Sequence, residues 1–170
     1  VDDYCVRLND LTYCVSSSLI RTQIKEAKFD VVEQLLGRKY LISGKVISGN
    51  KLGSQIGIPT INFIPLEGLL TPLGVIAGYC KISGVYYPAV VNFGTRPTVD
   101  GTKFIGEVHI IGKRIGKNRF STVEFRPIKK IRDEKKFSSL VELKRQILKD
   151  IRTTKSILQI KGGEYAEQSS

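Results

Sequence analysis

The sequence predicts a mainly β protein, a small barrel or sandwich with helices before and after it. Three observations carry this. Between residues 41 and 131, short segments rich in β-branched residues are separated by Gly, Pro and Asn turns. Residues 16–37 repeat apolar side chains at helical spacing, and so does the stretch that follows Ser139. Finally, no apolar run approaches the roughly 20 residues needed to span a bilayer.

Taken in order, Ser16-Ser-Ser18 offers an N-cap ahead of Leu19, Ile20 and Ile24. Asp30 with Glu33 three residues later has the form of a capping box. It predicts a second short helix with apolar Val31, Val32, Leu35 and Leu36, stopped by Gly37. Helices give way to strands near Gly37–Lys39, which is the expected domain boundary. Strands are expected over 41–47, 74–82, 86–93, 104–111 and 120–131. The turns between them are Pro65, Gly68 and Pro72; Ser83-Gly84; Gly94 through Gly101; and Gly112 through Asn118. Ser139 with Glu142 opens a closing helix. Its stripe of Leu140, Leu143, Ile147, Leu148 and Ile151 is expected to pack on the strands. The tail from Gly162 to Ser170 is polar and expected to fray.

The 170 residues are 41% hydrophobic and 25% charged, an ordinary balance for a globular domain with a real core. Net charge is +11 and unevenly spread. Residues 1–40 balance six basic against six acidic residues, whereas residues 111–170 carry sixteen basic and seven acidic. A basic C-terminal third suits either nucleic acid or a polyanion such as ATP. Few aromatics interleave the basic residues, which argues against an RNA-recognition module. Three cysteines, Cys5, Cys14 and Cys80, are an odd count with no paired motif and only one histidine, His109. This argues against a disulfide framework and a zinc site, and for a reducing cytoplasm. The first residues lack the pattern of a signal peptide. No methionine occurs, even at position 1, so the natural N-terminus is expected to be missing.

Two constellations carry chemistry. Gly44, Gly49, Gly53 and Gly57 lead into Pro59-Thr-Ile-Asn62. A glycine-rich loop lets backbone N–H groups close on an anion. Thr60 and Asn62, two apart on an extended segment, present two neutral oxygens to one side. Such oxygens suit a magnesium ion that keeps water and phosphate as its other ligands. From spacing alone, an ordinary turn and strand explain the pattern equally well. The second constellation is Asn92-Phe-Gly-Thr-Arg-Pro-Thr98 followed by Gly106-Glu-Val-His-Ile110. Glu107 and His109 share one side of a strand, and Glu107 is placed to act as a general base. Taken alone, Glu107 reads more simply as a surface carboxylate beside a lysine.

In this order the motifs resemble the riboflavin kinase module of bacterial bifunctional riboflavin kinase/FMN adenylyltransferase. The resemblance rests on Gly57-Ile-Pro-Thr-Ile-Asn62, Pro72-Leu-Gly-Val-Ile76, Asn92-Phe-Gly-Thr-Arg-Pro-Thr98 and Glu107-Val-His109. Ile115-Gly-Lys117 and Arg132-Asp-Glu-Lys-Lys-Phe137 complete it, over roughly residues 38–152. Val15-Ser-Ser-Ser-Leu-Ile-Arg21 and Glu33-Gln-Leu-Leu-Gly-Arg-Lys-Tyr40 resemble the end of that family's adenylyltransferase domain and its lead into the kinase module.

The resemblance implies a barrel of about six antiparallel strands with a C-terminal helix. It implies a remnant of the adenylyltransferase domain over 1–37, a kinase domain over 38–160 and a flexible tail over 161–170. It implies transfer of the γ-phosphate of ATP to the 5′-hydroxyl of riboflavin, giving FMN and ADP. Thr60 and Asn62 would ligate Mg²⁺, and Glu107 would be the base. Gly49, Gly53, Ser54 and Gly57 would shape the phosphate loop, and Arg132 would stand in a loop over the flavin. Ser48 and Ser54 replace the family's usual histidine and arginine, and Ile76 and Ile115 its usual tyrosines. The adenylyltransferase H-x-G-H motif is absent, so the chain is not expected to make FAD alone. The alternatives are a fragment inactive without its missing domain, and a basic barrel that binds nucleic acid.

Overall fold

The computed structural model describes residues 5–8, 10–49, 52–98, 101–113 and 121–160. A short hairpin comes first, β1 (Cys5–Leu8) and β2 (Leu11–Cys14). Helices α1 (Ser17–Lys25) and α2 (Phe29–Leu36) follow. Then come β3 (Ile42–Ile47), the one-turn α3 (Leu52–Gln55), β4 (Ile61–Pro65), β5 (Gly74–Ile82), β6 (Val85–Thr98), β7 (Gly101–Ile110) and β8 (Thr122–Arg132). Helix α4 (Leu140–Ile157) closes the described chain. Six strands form a closed antiparallel barrel in the order β3-β4-β7-β6-β5-β8, as expected. Closure leaves no strand edge unpaired over most of the sheet.

Alternation along the strands fills the barrel. Phe63, Phe93 and Phe125 are fully buried, with Ile42, Ile76, Val91 and Val108 beside them. Phe93 meets Phe63 edge-on at 5.8 Å and Phe125 at 6.1 Å between ring centroids. Gly106 leaves the space those rings occupy, since a Cβ there would overlap the Phe63 ring. Burying each phenyl contributes roughly 1.5–3 kcal/mol. Cys80 shares this core, where burial pushes its thiol up to about 12 and keeps it inert.

The N-terminal helices share one apolar cluster with the barrel through Ile24, Phe29 and Val32. Phe29 stacks on Tyr40 at 6.5 Å, and the Tyr40 hydroxyl donates to the Leu70 carbonyl at 2.6 Å. Ser16 caps α1 by accepting from the Leu19 N–H at 3.2 Å, and Gly37 ends α2 in the left-handed region at φ 65°.

Four expectations need correction. Asp30 does not cap α2; Lys28 stands at the N-cap without a side-chain bond, because burial of Phe29 draws the first turn earlier. Glu33 instead accepts from the Tyr40 N–H at 3.3 Å and from Lys39 at 3.1 Å, and pairs with Arg126 of β8 at 3.5 Å. The turn expected from Gly94 through Gly101 is ladder: Gly94, Thr95, Arg96, Pro97 and Thr98 pair with Ile105 through Gly101. Beyond Phe93, β6 has no β5 alongside, so Pro97 sits on an open edge where it is tolerated.

The α4 stripe is the third correction. Leu143, Ile147 and Ile151 of the stripe are half-buried as expected, but Leu140 and Leu148 are exposed, and the best-covered residues of α4, Asp150 and Thr154, are polar. On the same face as Ile147 and Ile151, Asp150 meets Arg132 at the end of β8, at 2.8 Å. Its N-cap is as expected, with Ser139 accepting from the Glu142 N–H at 3.2 Å. Fourth, Cys5 and Cys14 form a disulfide across the β1–β2 register, and only Cys80 is free. The odd count reflects one core thiol plus one pair, which removes the cysteine argument for a reducing compartment. The Ile115 motif, most of the turn expected after Gly112 and the tail fall outside the described residues.

Candidate active site

One rung of the barrel carries the site. Asn62 on β4 lies opposite Glu107 on β7, and Glu107 lies opposite Asn92 on β6. Residues directly opposed across a ladder share a face. Their neighbours Phe63, Val108, Val91 and Phe93 point into the core, so the three polar side chains face outward. The rung continues to Val75 on β5 and Arg132 on β8.

The glycine loop closes over Asn62. A Cβ on Gly49 would overlap the Asn62 amide nitrogen, so any side chain there must push the Asn62 amide out of its place. One residue group further, a Cβ on Gly53 would strike the Ile58 carbonyl and come within 3.1 Å of the Thr60 hydroxyl. The loop is stitched by the Ile58 N–H donating to the Gly53 carbonyl at 2.7 Å and the Gly57 N–H to the Ser54 carbonyl at 3.2 Å. Gly57 takes φ 78°, which favours glycine. Ser54 lies exposed on α3. Replacing Gly49 with alanine is expected to cost little stability, because only a short amide must turn. It should weaken metal–nucleotide binding about tenfold or more, measured by calorimetric titration against thermal melts.

The Oδ1 atoms of Asn62 and Asn92 are both buried with no hydrogen-bond partner among the described residues. An orphaned buried amide oxygen costs roughly 1–3 kcal/mol. Such a cost is recovered when a ligand or cation supplies the missing partner. No cluster of three or more His, Cys, Asp or Glu able to hold a metal occurs among the described residues. The Thr60 hydroxyl and the Asn62 amide offer neutral oxygens, a donor type compatible with a hard cation that shares phosphate and water ligands.

His109 supports this strand from the same face as Glu107. Its Nδ1–H donates to the Pro59 carbonyl at 2.9 Å, fixing the backbone just before Thr60. Burial lowers its pKa, against the opposing effect of that hydrogen bond, so the ring is neutral near pH 7. The unfolded chain then binds the extra proton more readily. The stability His109 contributes is full above the ordinary imidazole value of 6.5 and is lost as pH falls through the lowered folded value. Urea midpoints measured from pH 7.5 to 5 are expected to fall in the wild type and to flatten in His109→Gln.

Glu107 meets Arg96 Nη2 at 3.3 Å, and Arg96 also donates to Glu134. Burial disfavours the Arg96 charge, but the Glu134 hydrogen bond and Glu107 outweigh it and hold the guanidinium above its ordinary pKa. Arg132 is engaged elsewhere. Its Nε and Nη2 donate to Asp150, its Nη1 to the Asp133 carbonyl, and its guanidinium stands 5.8 Å from the Phe137 ring. Between this segment and α4 lies an open cleft of about 550 Å³, lined by Lys135, Phe137, Arg145 and Lys149 among others. Sequence reading assigned no role to Asn92, Arg96 or Glu134. The alternation Asn92, Gly94, Arg96 carries that signal, although local rules end the strand at Phe93 and give Gly94 and Arg96 to a turn.

A family model for riboflavin kinase, Flavokinase, matches residues 36–158. The bifunctional riboflavin kinase/FMN adenylyltransferase of Haemophilus influenzae is 41% identical over 145 residues, which cover 84% of this chain and 46% of that protein. The Escherichia coli K12 protein of the same description is 39% identical over 149 residues, 82% of this chain and 46% of its own length. The chain thus spans about half the length of these curated relatives. A crystal structure described as a macrolide-efflux protein from Streptococcus pneumoniae superposes with a TM-score of 0.75 at 30% identity, over 84% of this chain and 47% of that one. No helix among the described residues is long and apolar enough to cross a membrane. Similarity on this scale favours neither an inactive fragment nor a nucleic-acid barrel. By fold, by the matched domain and by these relatives, the chain belongs to the riboflavin kinase family.

Proposed function

We propose that the barrel is a riboflavin kinase, moving the γ-phosphoryl group of ATP to the 5′-hydroxyl of riboflavin to give FMN and ADP. The observation that carries this reading is the rung on which Asn62, Glu107 and Asn92 stand side by side, with two amide oxygens lacking partners. Phosphoryl transfer depends mainly on positioning and charge neutralisation. In this reading the glycine loop receives the nucleotide phosphates. Thr60 and Asn62 hold a divalent metal, taken to be Mg²⁺, which supplies charge neutralisation when bound. Glu107 accepts the proton of the attacking ribityl hydroxyl as the new P–O bond forms and the bond to ADP breaks. Phe137 and the cleft beside α4 offer an apolar ring face and cations for the flavin. Residues 1–37 are, on the same reading, the end of an adenylyltransferase domain, which would be the partner in a longer protein. An ATP-dependent step of this kind fits a cytoplasmic setting.

Incubation with γ-labelled ATP and riboflavin tests the reading: label should move into the flavin. Label released only as inorganic phosphate would count against it. Thr60→Ala removes one proposed metal oxygen while leaving Glu107 untouched. Its turnover is expected to need about tenfold more Mg²⁺ for half-saturation, with a wild-type rate approached at high metal.

A further inference from the structure

Arg96 is the cation that touches Glu107. Asn92, Gly94 and Arg96 alternate on the outward face of β6, and the Arg96 side chain reaches back toward the rung. Its Nη2 donates to Glu107 at 3.3 Å. The other arm is held: Nη1 donates to the Thr95 carbonyl at 3.0 Å and to Glu134, from the segment that joins β8 to α4. Glu134 reaches β6 because Gly94 has no side chain; a Cβ there would overlap both Glu134 carboxylate oxygens. The guanidinium is thus anchored through Nη1 and lightly engaged through Nη2. A distance of 3.3 Å is long for a charge-assisted hydrogen bond, which settles at about 2.7–2.9 Å. Arg96 is 32% exposed, so the lightly engaged edge is open to a ligand. Charge points the same way. The described residues of the glycine loop, 48–49 and 52–58, carry no charged side chain. They offer a polyphosphate backbone N–H groups but no fixed positive charge. Arg96 offers one, always protonated and shaped as a planar fork that matches phosphoryl oxygens.

We propose that Arg96 is a catalytic residue, a fixed cation whose Nη2 edge engages the phosphoryl group in transfer. This inference rests on the reading of Glu107 as the base that meets the ribityl hydroxyl. With that hydroxyl on the Glu107 carboxylate, the phosphorus it attacks lies within one side chain's reach of the guanidinium beside it. The P–O bond to ADP breaks, the P–O bond to the 5′-oxygen forms, and the hydroxyl proton goes to Glu107. Arg96 gives up no proton. It donates hydrogen bonds to the non-bridging oxygens, over which the charge of the transition state is spread. Glu134 is a positioning residue: by holding Nη1 it presents the Nη2 edge to the site. Lys103, opposite Arg96 in the β6–β7 register, is exposed and serves as the control for bulk charge.

The test pairs kinetics with a binding measurement that needs no turnover. Arg96→Gln is expected to lower kcat by about 10²–10³-fold, the usual effect of removing one donor aimed at transition-state charge. KM for ATP and for riboflavin should stay within about threefold, as for an interaction made mainly in the transition state. Arg96→Lys, which keeps the charge without the fork, should recover part of the loss, and Lys103→Gln should behave as wild type. Calorimetric titration then compares MgADP alone with MgADP and aluminium fluoride in the presence of riboflavin, a mimic of the group in flight. Arg96→Gln should weaken the mimic about tenfold or more and leave ADP affinity unchanged. A folded Arg96→Gln chain whose kcat stays within about threefold of wild type, or whose affinities for ADP and for the mimic fall equally, overturns the role. Thermal melts of the same samples identify a variant that has merely lost its fold, and Arg96→Lys then carries the comparison. A wild type that makes no FMN defeats the kinase reading and this role with it. A wild type that makes FMN, beside an Arg96→Gln variant that keeps pace, defeats the Arg96 role alone.

Discussion

Glu107→Gln is expected to lower turnover by about 10²–10⁴-fold, the usual contribution of a positioned general base. The glutamine keeps the size and shape of the side chain and its place opposite Asn62 and Asn92. It loses only the ability to take a proton. Arg96 retains Glu134, so no unpaired charge is left behind and the fold should be nearly unaffected. On the proposed reading the glycine loop and metal hold the nucleotide, and this substitution leaves both in place, so KM for ATP should change little. Steady-state kinetics with a thermal melt on the same sample check both halves. A variant that turns over like the wild type would remove Glu107 from the chemistry.

Asp150→Ala is expected to destabilise the fold by about 3–5 kcal/mol, the range for breaking a buried ion pair. The Asp150 side chain is 4% exposed and receives Arg132 at 3.1 Å, 3.1 Å and 2.8 Å, and Gln146 at 2.8 Å. Alanine would strand a guanidinium and an amide against a covered helix face. The Arg132 side chain is 22% exposed and can turn partly to water, which favours the lower end of that range. Asp150→Asn, which keeps the shape and one acceptor oxygen but turns the other into a donor, should fall between. Urea denaturation gives the numbers. The same variants should loosen α4, the wall of the cleft, and so raise KM for riboflavin more than KM for ATP.

The barrel was legible because its strands are short β-branched runs, partly alternating, between turn residues. Val123 to Phe125 alternates at period two, and Val75 to Ile82 is a short, almost continuous apolar run bounded by turn residues. Glycine was the misleading letter. Gly94 and Gly101 spell a turn to local rules, yet Gly94 is a strand residue whose missing Cβ admits Glu134 from 40 residues away in sequence. The hairpin β1–β2 went unread because four-residue strands carry too little periodicity, and without it Cys5 and Cys14 had no reason to meet. On α4 the apolar stripe marked the packed face through Leu143, Ile147 and Ile151, but not the Arg132–Asp150 pair on that same face, whose partner is 18 residues away. The site shows the same division. Thr60, Asn62 and Glu107 stand in compact motifs and could be named from sequence. Asn92 and Arg96 acquire meaning only through the β4-β7-β6 register, and Glu134 only through its contact with Arg96, neither of which a local pattern encodes.

The most direct test of the central claim is to incubate the purified chain with riboflavin, ATP and Mg²⁺ and separate the flavins by chromatography. The account predicts FMN in proportion to ADP, no FAD, and almost no FMN from Glu107→Gln. Riboflavin returned unchanged by a folded wild-type chain at saturating ATP and Mg²⁺ would contradict it.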